Sequence, residues 1–202
     1  MPQSLSKSLL GTVDEAVVIL KSGGVIAYPT EAVYGLGCDP FNESAVQALF
    51  HVKQRPIAKG VILVAANVAQ VKALVELEGM PWEGDVLASW PGPVTWVLPL
   101  KHSAQKRAEG SGDKNVPDWI TGGRDTVAIR VSDHPVIQAV CLAYGGPIVS
   151  TSANITEQLP ATSCEEIHQI FRHEVFCVNS ALGTLSQPTQ IRHAETGHIL
   201  RA

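Results

Sequence analysis

Short, mainly apolar runs recur along the chain at Val25 to Tyr28, Val61 to Ala66, Val94 to Leu98, Thr126 to Val131, Pro147 to Val149 and Val175 to Val178. All six read as strands, and Val25 to Tyr28 fits one covered on both faces better than a half-exposed one, with Val61 to Ala66 a second buried candidate. Between them, apolar residues return every three or four positions, the period of an amphipathic helix. Thr12 and Glu15 form a capping box for a helix bearing Val13, Val17 and Leu20, which Gly23-Gly24 ends. Asn42 and Ser44 are both candidate caps for a second helix, and Ser44 with Gln47 matches a capping box. Asn67 starts a third with Val71, Leu74 and Val75 inward, and a short helix covers Asp85 to Trp90. Ser132 or Asp133 caps another, with Pro135 in its first turn and Gly145-Gly146 at its end. Ser163 and Glu166 box the last, whose buried face is Ile167, Ile170 and Phe171. Thr189 to Ile191 and His198 to Arg201 read as a terminal hairpin. This alternation predicts a layered α/β fold. There is no internal repeat or linker, so residues 1–202 are expected to form a single domain.

Polar residues gather where the predicted strands end. Pro29 cannot donate to a ladder and is expected to stop the first strand, leaving Thr30 and Glu31 at an edge where α/β sheets hold ligands. Gly35 and Gly37 are expected in a tight reversal there. The second helix carries Val46, Leu49 and Phe50 on one face, and the next position on that face is Lys53. A cation ending an apolar stripe is expected to point inward. Pro56 disfavours helical geometry at Arg55, so the helix should end near Lys53 or Gln54, and Lys53, Arg55 and Lys59 can converge on an anion. The competing reading is a set of cations favoured by a helix C-terminus. Arg130 is the one cation in an apolar run, and it needs an anionic partner, either an internal carboxylate or a substrate. Ser150-Thr-Ser-Ala-Asn154 is either a strand end that grips a ligand or an ordinary polar turn. The Trp90-Pro-Gly-Pro turn is a candidate pocket wall. Residues 102–117, polar and glycine-rich, read as an exposed loop or lid.

Composition narrows the partners. With 202 residues, 45% of them hydrophobic, the chain can bury a substantial core. A formal charge of −4 restricts any nucleic-acid contact to a local basic cleft. Cys38, Cys141, Cys164 and Cys177 make no C-x-x-C pair and read as free thiols. The histidines are too scattered for a zinc site. No signal segment and no apolar stretch near the roughly 20 residues of a membrane span is present, so the protein is expected to be cytoplasmic.

YPTEAVYGLG, KQRP, SWPGPVTWVL, AIRVSDHP and STSAN follow one another in an order and spacing that resembles the YrdC-type threonylcarbamoyl-adenylate synthases, in their short, single-domain bacterial form. The likeness runs from about residue 10 to residue 201. It implies an open, twisted, mixed sheet with helices packed around it and one large basic concave cavity. It implies a nucleotidyltransferase joining L-threonine, bicarbonate or CO2, and ATP with Mg2+ into L-threonylcarbamoyl-adenylate, with release of pyrophosphate. A separate tRNA threonylcarbamoyl transferase machinery would use the product to form N6-threonylcarbamoyladenosine at tRNA position 37. Negative charge gathers on several oxygens in such a reaction, so cations matter more than a strong base. Donors preorganised toward that charge can contribute roughly 3–4 kcal/mol each.

Carried over by residue, the resemblance assigns Lys53, Arg55, Ser152 and Asn154 to the nucleotide, with Lys53 and Arg55 as catalytic phosphate clamps, and adds Lys59, Thr126 and Arg201. Arg130, Ser150, Thr30, Tyr34 and Thr189 are assigned to threonine, and no protein side chain to the metal. Ala32 stands where many relatives have threonine. No Walker motif is present, so the phosphates cannot rest in a P-loop. The alternative from another class is an RNA-binding or ribosome-assembly module using the same cavity, which the 5% aromatic content weakens. Weak RNA binding by the enzyme itself stays open. A carbamoyl-transfer maturation domain would need acylphosphatase and zinc-finger segments that the chain lacks.

Overall fold

The computed structural model describes residues 10–56, 59–101, 116–185, 187 and 189–202. In chain order its elements are β1 (Leu10–Gly11), α1 (Val13–Lys21), β2 (Ile26–Pro29), β3 (Tyr34–Gly37), α2 (Glu43–Lys53), β4 (Ile62–Ala65), a 3-10 turn (Val68–Gln70), α3 (Glu83–Ser89), β5 (Val94–Pro99), α4 (Asp118–Thr121), β6 (Thr126–Val131), α5 (Pro135–Tyr144), β7 (Ile148–Ser152), α6 (Cys164–Phe171), β8 (Phe176–Val178), β9 (Gln190–His193) and β10 (Ile199–Arg201). The described strands form one sheet in the order β1-β8-β2-β3-β7-β4-β6-β5-β9-β10. β8 runs parallel to β1 and β2, β4 to β6, and β5 to β9, while the other pairs are antiparallel. The expected mixed sheet with surrounding helices is therefore what the chain builds.

The two faces of the sheet are covered unequally. One core joins Leu49 and Phe50 of α2 and Ile167 and Phe171 of α6 to Leu63, Trp96 and Ile129 of the strands. On the other face, Ala16 and Leu20 of α1 and Ile137 and Val140 of α5 pack on Ile26, Tyr28, Val64 and Ile148. That second cover is partial. Ile62 and Ser150 lie two residues from Val64 and Ile148 on the same faces of their strands, yet they border a cavity instead of a helix.

Several local expectations are corrected. Pro29 pairs with Tyr34 as the last residue of β2, because a ladder needs only its carbonyl there. The reversal falls on residues 30–33, where the N–H and hydroxyl of Thr30 both donate to Val33 O. Gly35 and Gly37 therefore sit in β3 and not in the turn. A Cβ on Gly37 would stand 2.6 Å from Val149 O and 2.8 Å from the Tyr28 ring, so close approach of β7 demands glycine. Asn42 caps α2 in place of Ser44, accepting from Ala45 N–H, while Gln47 bonds Glu43. Val71, Leu74 and Val75 are buried but not helical. Their backbone is drawn to the end of β5, with Glu76 N–H donating to Pro99 O and Lys101 N–H to Leu74 O. His134 is the N-cap of α5, and the hydroxyl of Ser132 turns instead to Glu31. Ser163 caps α6 as expected, though Glu166 reaches Thr162 N–H, one residue earlier than a capping box requires.

Cys164 and Cys177, expected as free thiols, are joined in a disulfide that ties the start of α6 to β8 across Cα atoms 5.9 Å apart. Their separation of 13 residues matches no motif, and only the return of β8 beside α6 brings them together. Cys38 and Cys141 are free and buried. Of the predicted lid, residues 102–115 lie outside the described residues, whereas Val116 is buried and Pro117 precedes α4. No helix among the described residues is long and apolar enough to cross a membrane. A thiol count checks the pairing: denatured, unreduced protein should take up maleimide at two cysteines and reduced protein at all four, read by intact mass. Four reactive thiols without reductant would refute the bond.

Candidate active site

The uncovered part of the sheet face is the floor of a cavity of about 560 Å³. Register builds that floor. Ser150 pairs with Ile62, Ile62 with Ala128, Ala128 with Val97 and Val97 with His193, giving one row across β7, β4, β6, β5 and β9. Arg55, Lys59, Arg124, Arg130 and Arg201 contribute cations to the wall, and no Asp or Glu is among its described lining residues. An anion entering this space meets no carboxylate among the described residues of its wall.

Arg130 alternates with Thr126 and Ala128 on the cavity face of β6. It is 4% exposed and forms an ion pair with Glu31. The Ser132 hydroxyl donates to the same carboxylate at 2.6 Å, and the second carboxylate oxygen is buried without a hydrogen-bond partner. Burial opposes ionisation of Glu31, but the Arg130 guanidinium and the Ser132 hydroxyl outweigh it and hold the carboxyl below its usual range. His134, also buried, is pushed below the usual imidazole range by desolvation, despite the attraction of Glu31. The internal-carboxylate reading of Arg130 is thus correct, and the guanidinium still lines the cavity.

Thr30, Tyr34 and Ser150, three hydroxyl-bearing residues, line the same cavity. Thr30 donates to Val33 O at 2.7 Å and Tyr34 to Ser180 O at 2.9 Å. Their protons are committed to backbone, so they offer lone pairs to a ligand donor such as an ammonium or hydroxyl. Thr189 and Arg201 line the cavity too, and Arg201 donates to Thr189 O from Nε at 3.0 Å and Nη2 at 2.6 Å. Arg55 lies just beyond the left-handed Gln54 that ends α2. Its Nη2 donates to Gly60 O at 3.0 Å, while its buried Nε has no partner. Lys59, Thr126 and Ser152 complete the described set that sequence reasoning placed here.

Lys53 and Asn154 do not line the cavity. Lys53 points inward as expected, but it is 2% exposed and its ammonium donates to Ser152 O, to Asn154 O at 2.9 Å and to Asn154 Oδ1 at 3.4 Å. Ser152 Oγ donates to Asn154 Oδ1 at 2.6 Å, and the Thr156 hydroxyl returns to Lys53 O at 3.0 Å. In this arrangement Lys53 is a buried tie that shapes the Ser152–Asn154 loop. Burial, then the charge of Arg55, brings its pKa down to about 8. The Trp90-Pro-Gly-Pro turn also misses the cavity, because Trp90 is buried in the core and its indole N–H is spent on Val94 O. Sequence reasoning did not single out Arg124, Thr95 and His193, which line the wall, or Glu31 as the partner of Arg130.

A mixed α/β sheet with helices packed around it defines the class of fold, and similar proteins share it. Residues 18–202 match the Sua5_yciO_yrdC family, described as "Telomere recombination". The chain belongs to this family. It is 46% identical over 194 residues to the threonylcarbamoyl-AMP synthase of Stenotrophomonas maltophilia (strain K279a), covering 95% of this chain and 98% of that protein. The crystal structure of P. abyssi Sua5 complexed with L-threonine superposes with a TM-score of 0.79 at 29% identity, over 93% of this chain and 52% of that one. This chain therefore spans about half of that protein. E. coli YciO shares the fold, with a TM-score of 0.76 at 23% identity over 94% of this chain and 87% of its own.

The two neighbouring cations should respond differently to removal. Lys53→Met strands the carbonyls of Ser152 and Asn154 and should cost about 1–3 kcal/mol of stability in a urea titration. Arg55→Ala, which gives up a single guanidinium bond to Gly60 O from a half-buried side chain, should cost less than Lys53→Met, about 1 kcal/mol. Equal effects would show that Lys53 is not the tie described.

Proposed function

We propose that this protein is a threonylcarbamoyl-AMP synthase, a nucleotidyltransferase that joins L-threonine, bicarbonate or CO2, and ATP, and releases pyrophosphate. The observation that carries this reading is one continuous cavity lined at one end by Arg130 with hydroxyl acceptors and at the other by Arg55 and Lys59. Such a space holds a small zwitterion and a polyphosphate side by side. The name of the Stenotrophomonas relative and the threonine bound to P. abyssi Sua5 support the same assignment.

In this reading Arg130 takes the threonine carboxylate, and Thr30 and Tyr34 accept hydrogen bonds from its ammonium or hydroxyl. Ser150 and Thr189 close that end. The ammonium gives one proton to bicarbonate or solvent, the free amine adds to CO2 and loses a second proton to solvent as the carbamate forms, and the carbamate oxygen attacks the α-phosphorus as the bond to pyrophosphate breaks. Arg55 and Lys59 then stabilise charge on the leaving phosphates, with Thr126, Ser152 and Arg201 as further nucleotide contacts and Lys53 and Asn154 keeping the Ser152 loop in place. Orientation of the two substrates supplies much of the rate in such a transfer. Mg2+ would arrive with ATP and neutralise phosphate charge. The described lining has no carboxylate to bind it, so phosphate oxygens and water would be its ligands. The product would pass to a separate transferase that modifies tRNA at position 37 in the cytoplasm. No observation in the fold favours the RNA-binding reading.

Purified protein given Mg-ATP, L-threonine and bicarbonate should release pyrophosphate and form threonylcarbamoyl-AMP, detected by mass spectrometry. No product from folded protein, combined with tight RNA binding, would replace this reading with the RNA module. Arg55→Ala should weaken ATP binding by about ten- to a hundredfold, the worth of a charge-assisted contact, and leave threonine binding unchanged. Arg130→Lys keeps a counter-charge for Glu31 but loses the planar fork. It should raise the threonine KM about tenfold with little change in the ATP KM.

A further inference from the structure

Arg130 carries its own counter-charge. Glu31 is paired with it, whereas the hydrogen bonds of Arg55 and Arg201 go to neutral oxygens of Gly60 and Thr189. Glu31 itself does not face the cavity: it is 6% exposed and absent from the wall. Residues 183–185 lie across its backbone, with Gly183 N–H donating to Thr30 O and Leu185 N–H to Glu31 O, both at 2.9 Å. A Cβ on Gly183 would stand 2.7 Å from Glu31 Cα, so this cover is in direct contact. The carboxylate is consequently a fixed charge behind the guanidinium, beyond the reach of a ligand. The nearby His134 is held neutral by burial and adds nothing to the sum. Glu31 thus cancels the charge of Arg130 while leaving its donors exposed, whereas Arg201, across the cavity beside Thr189, and Arg55 and Lys59 at the other end bring positive charge to the wall.

The reaction brings two unlike anions into this one space, a polyphosphate and the single carboxylate of a zwitterion. A bare guanidinium attracts the first far more strongly, because Coulomb energy scales with the ligand's charge. We propose that Glu31 is a specificity-determining residue that neutralises Arg130, keeping polyphosphate out of the amino-acid end so that a zwitterionic amino acid can occupy it. Glu31 acts through Arg130 and touches no substrate. Discrimination of this kind works by withholding attraction from the wrong ligand. The inference rests on the function proposed above, in particular on which end takes which substrate.

Calorimetry without turnover tests it, with L-threonine titrated into the protein in the presence and absence of inorganic pyrophosphate. In the parent protein pyrophosphate should change the threonine affinity by less than about twofold. Glu31→Gln should admit a second pyrophosphate and weaken threonine binding competitively by about tenfold or more, as an uncompensated charge at an effective dielectric of about 20 requires. Glu31→Asp, which keeps the charge on a shorter arm, should behave like the parent, an outcome that a purely steric role would not give. Equal pyrophosphate sensitivity in the parent and Glu31→Gln overturns the proposal. Should Glu31→Gln fail to fold, Glu31→Asp decides: parent-like behaviour supports the charge role and competition by pyrophosphate sinks it. A parent protein that binds no threonine even without pyrophosphate would refute the underlying function, a result distinct from both.

Discussion

A guanidinium on the inner face of a β-sheet must find a counter-charge, and the rest of this site follows from how Arg130 finds one. β6 presents it, the reversal between β2 and β3 brings Glu31, and the residue after β6 brings Ser132. Residues 183–185, between β8 and β9, lie across the Glu31 main chain. Those parts lie far apart in the chain and meet only because β2 and β3 join the rest of the sheet through β7. Buried ion pairs are poor stabilisers, since desolvation of both partners consumes most of their attraction. Keeping one here makes sense when the location of charge matters more than its contribution to stability.

Lys53 solves the same burial problem differently. It has no carboxylate partner among its hydrogen bonds, only carbonyl and amide oxygens of the loop it organises. An ammonium can hold several such acceptors at once because it has three donors that rotate as a group. The return bond from Thr156 to the Lys53 carbonyl closes a ring between the end of α2 and the loop after β7. The Ser152 side of the cavity is thereby shaped by a cation that stays out of it.

Much of this was legible in the sequence where a residue's own character decides its surroundings. The strand runs were clear because a sheet covered on both faces needs continuous apolar residues. The inward aim of Lys53 was clear because it ends the stripe of Val46, Leu49 and Phe50. What Lys53 meets was not, since its acceptors lie 99 and 101 positions away and are backbone oxygens, which any residue supplies. Gly35 and Gly37 were read as turn residues because flexibility is the commoner reason for glycine, whereas here contact with Tyr28, and with β7 at Gly37, decides. The Cys164–Cys177 bond escaped for the same cause as the Glu31 pairing. Both are products of topology, and no local pattern encodes them.

The cavity exists because two helices leave a sheet face half covered, and this bears on how a chain without a P-loop would hold the proposed triphosphate. In a P-loop, successive backbone N–H groups make one compact anion nest. Here the cations come from separate places: Arg55 and Lys59 from the connection after α2, Arg124 from the one before β6, Arg201 from β10. The amino-acid end is built otherwise, with Arg130 and Ser150 on central strands and Thr30 locked to Val33. Connections open at lower free-energy cost than the centre of a sheet. The division therefore matches the chemistry proposed: the end that must release pyrophosphate is held largely by connections, while the end that must hold a small zwitterion still for attack is held by the sheet.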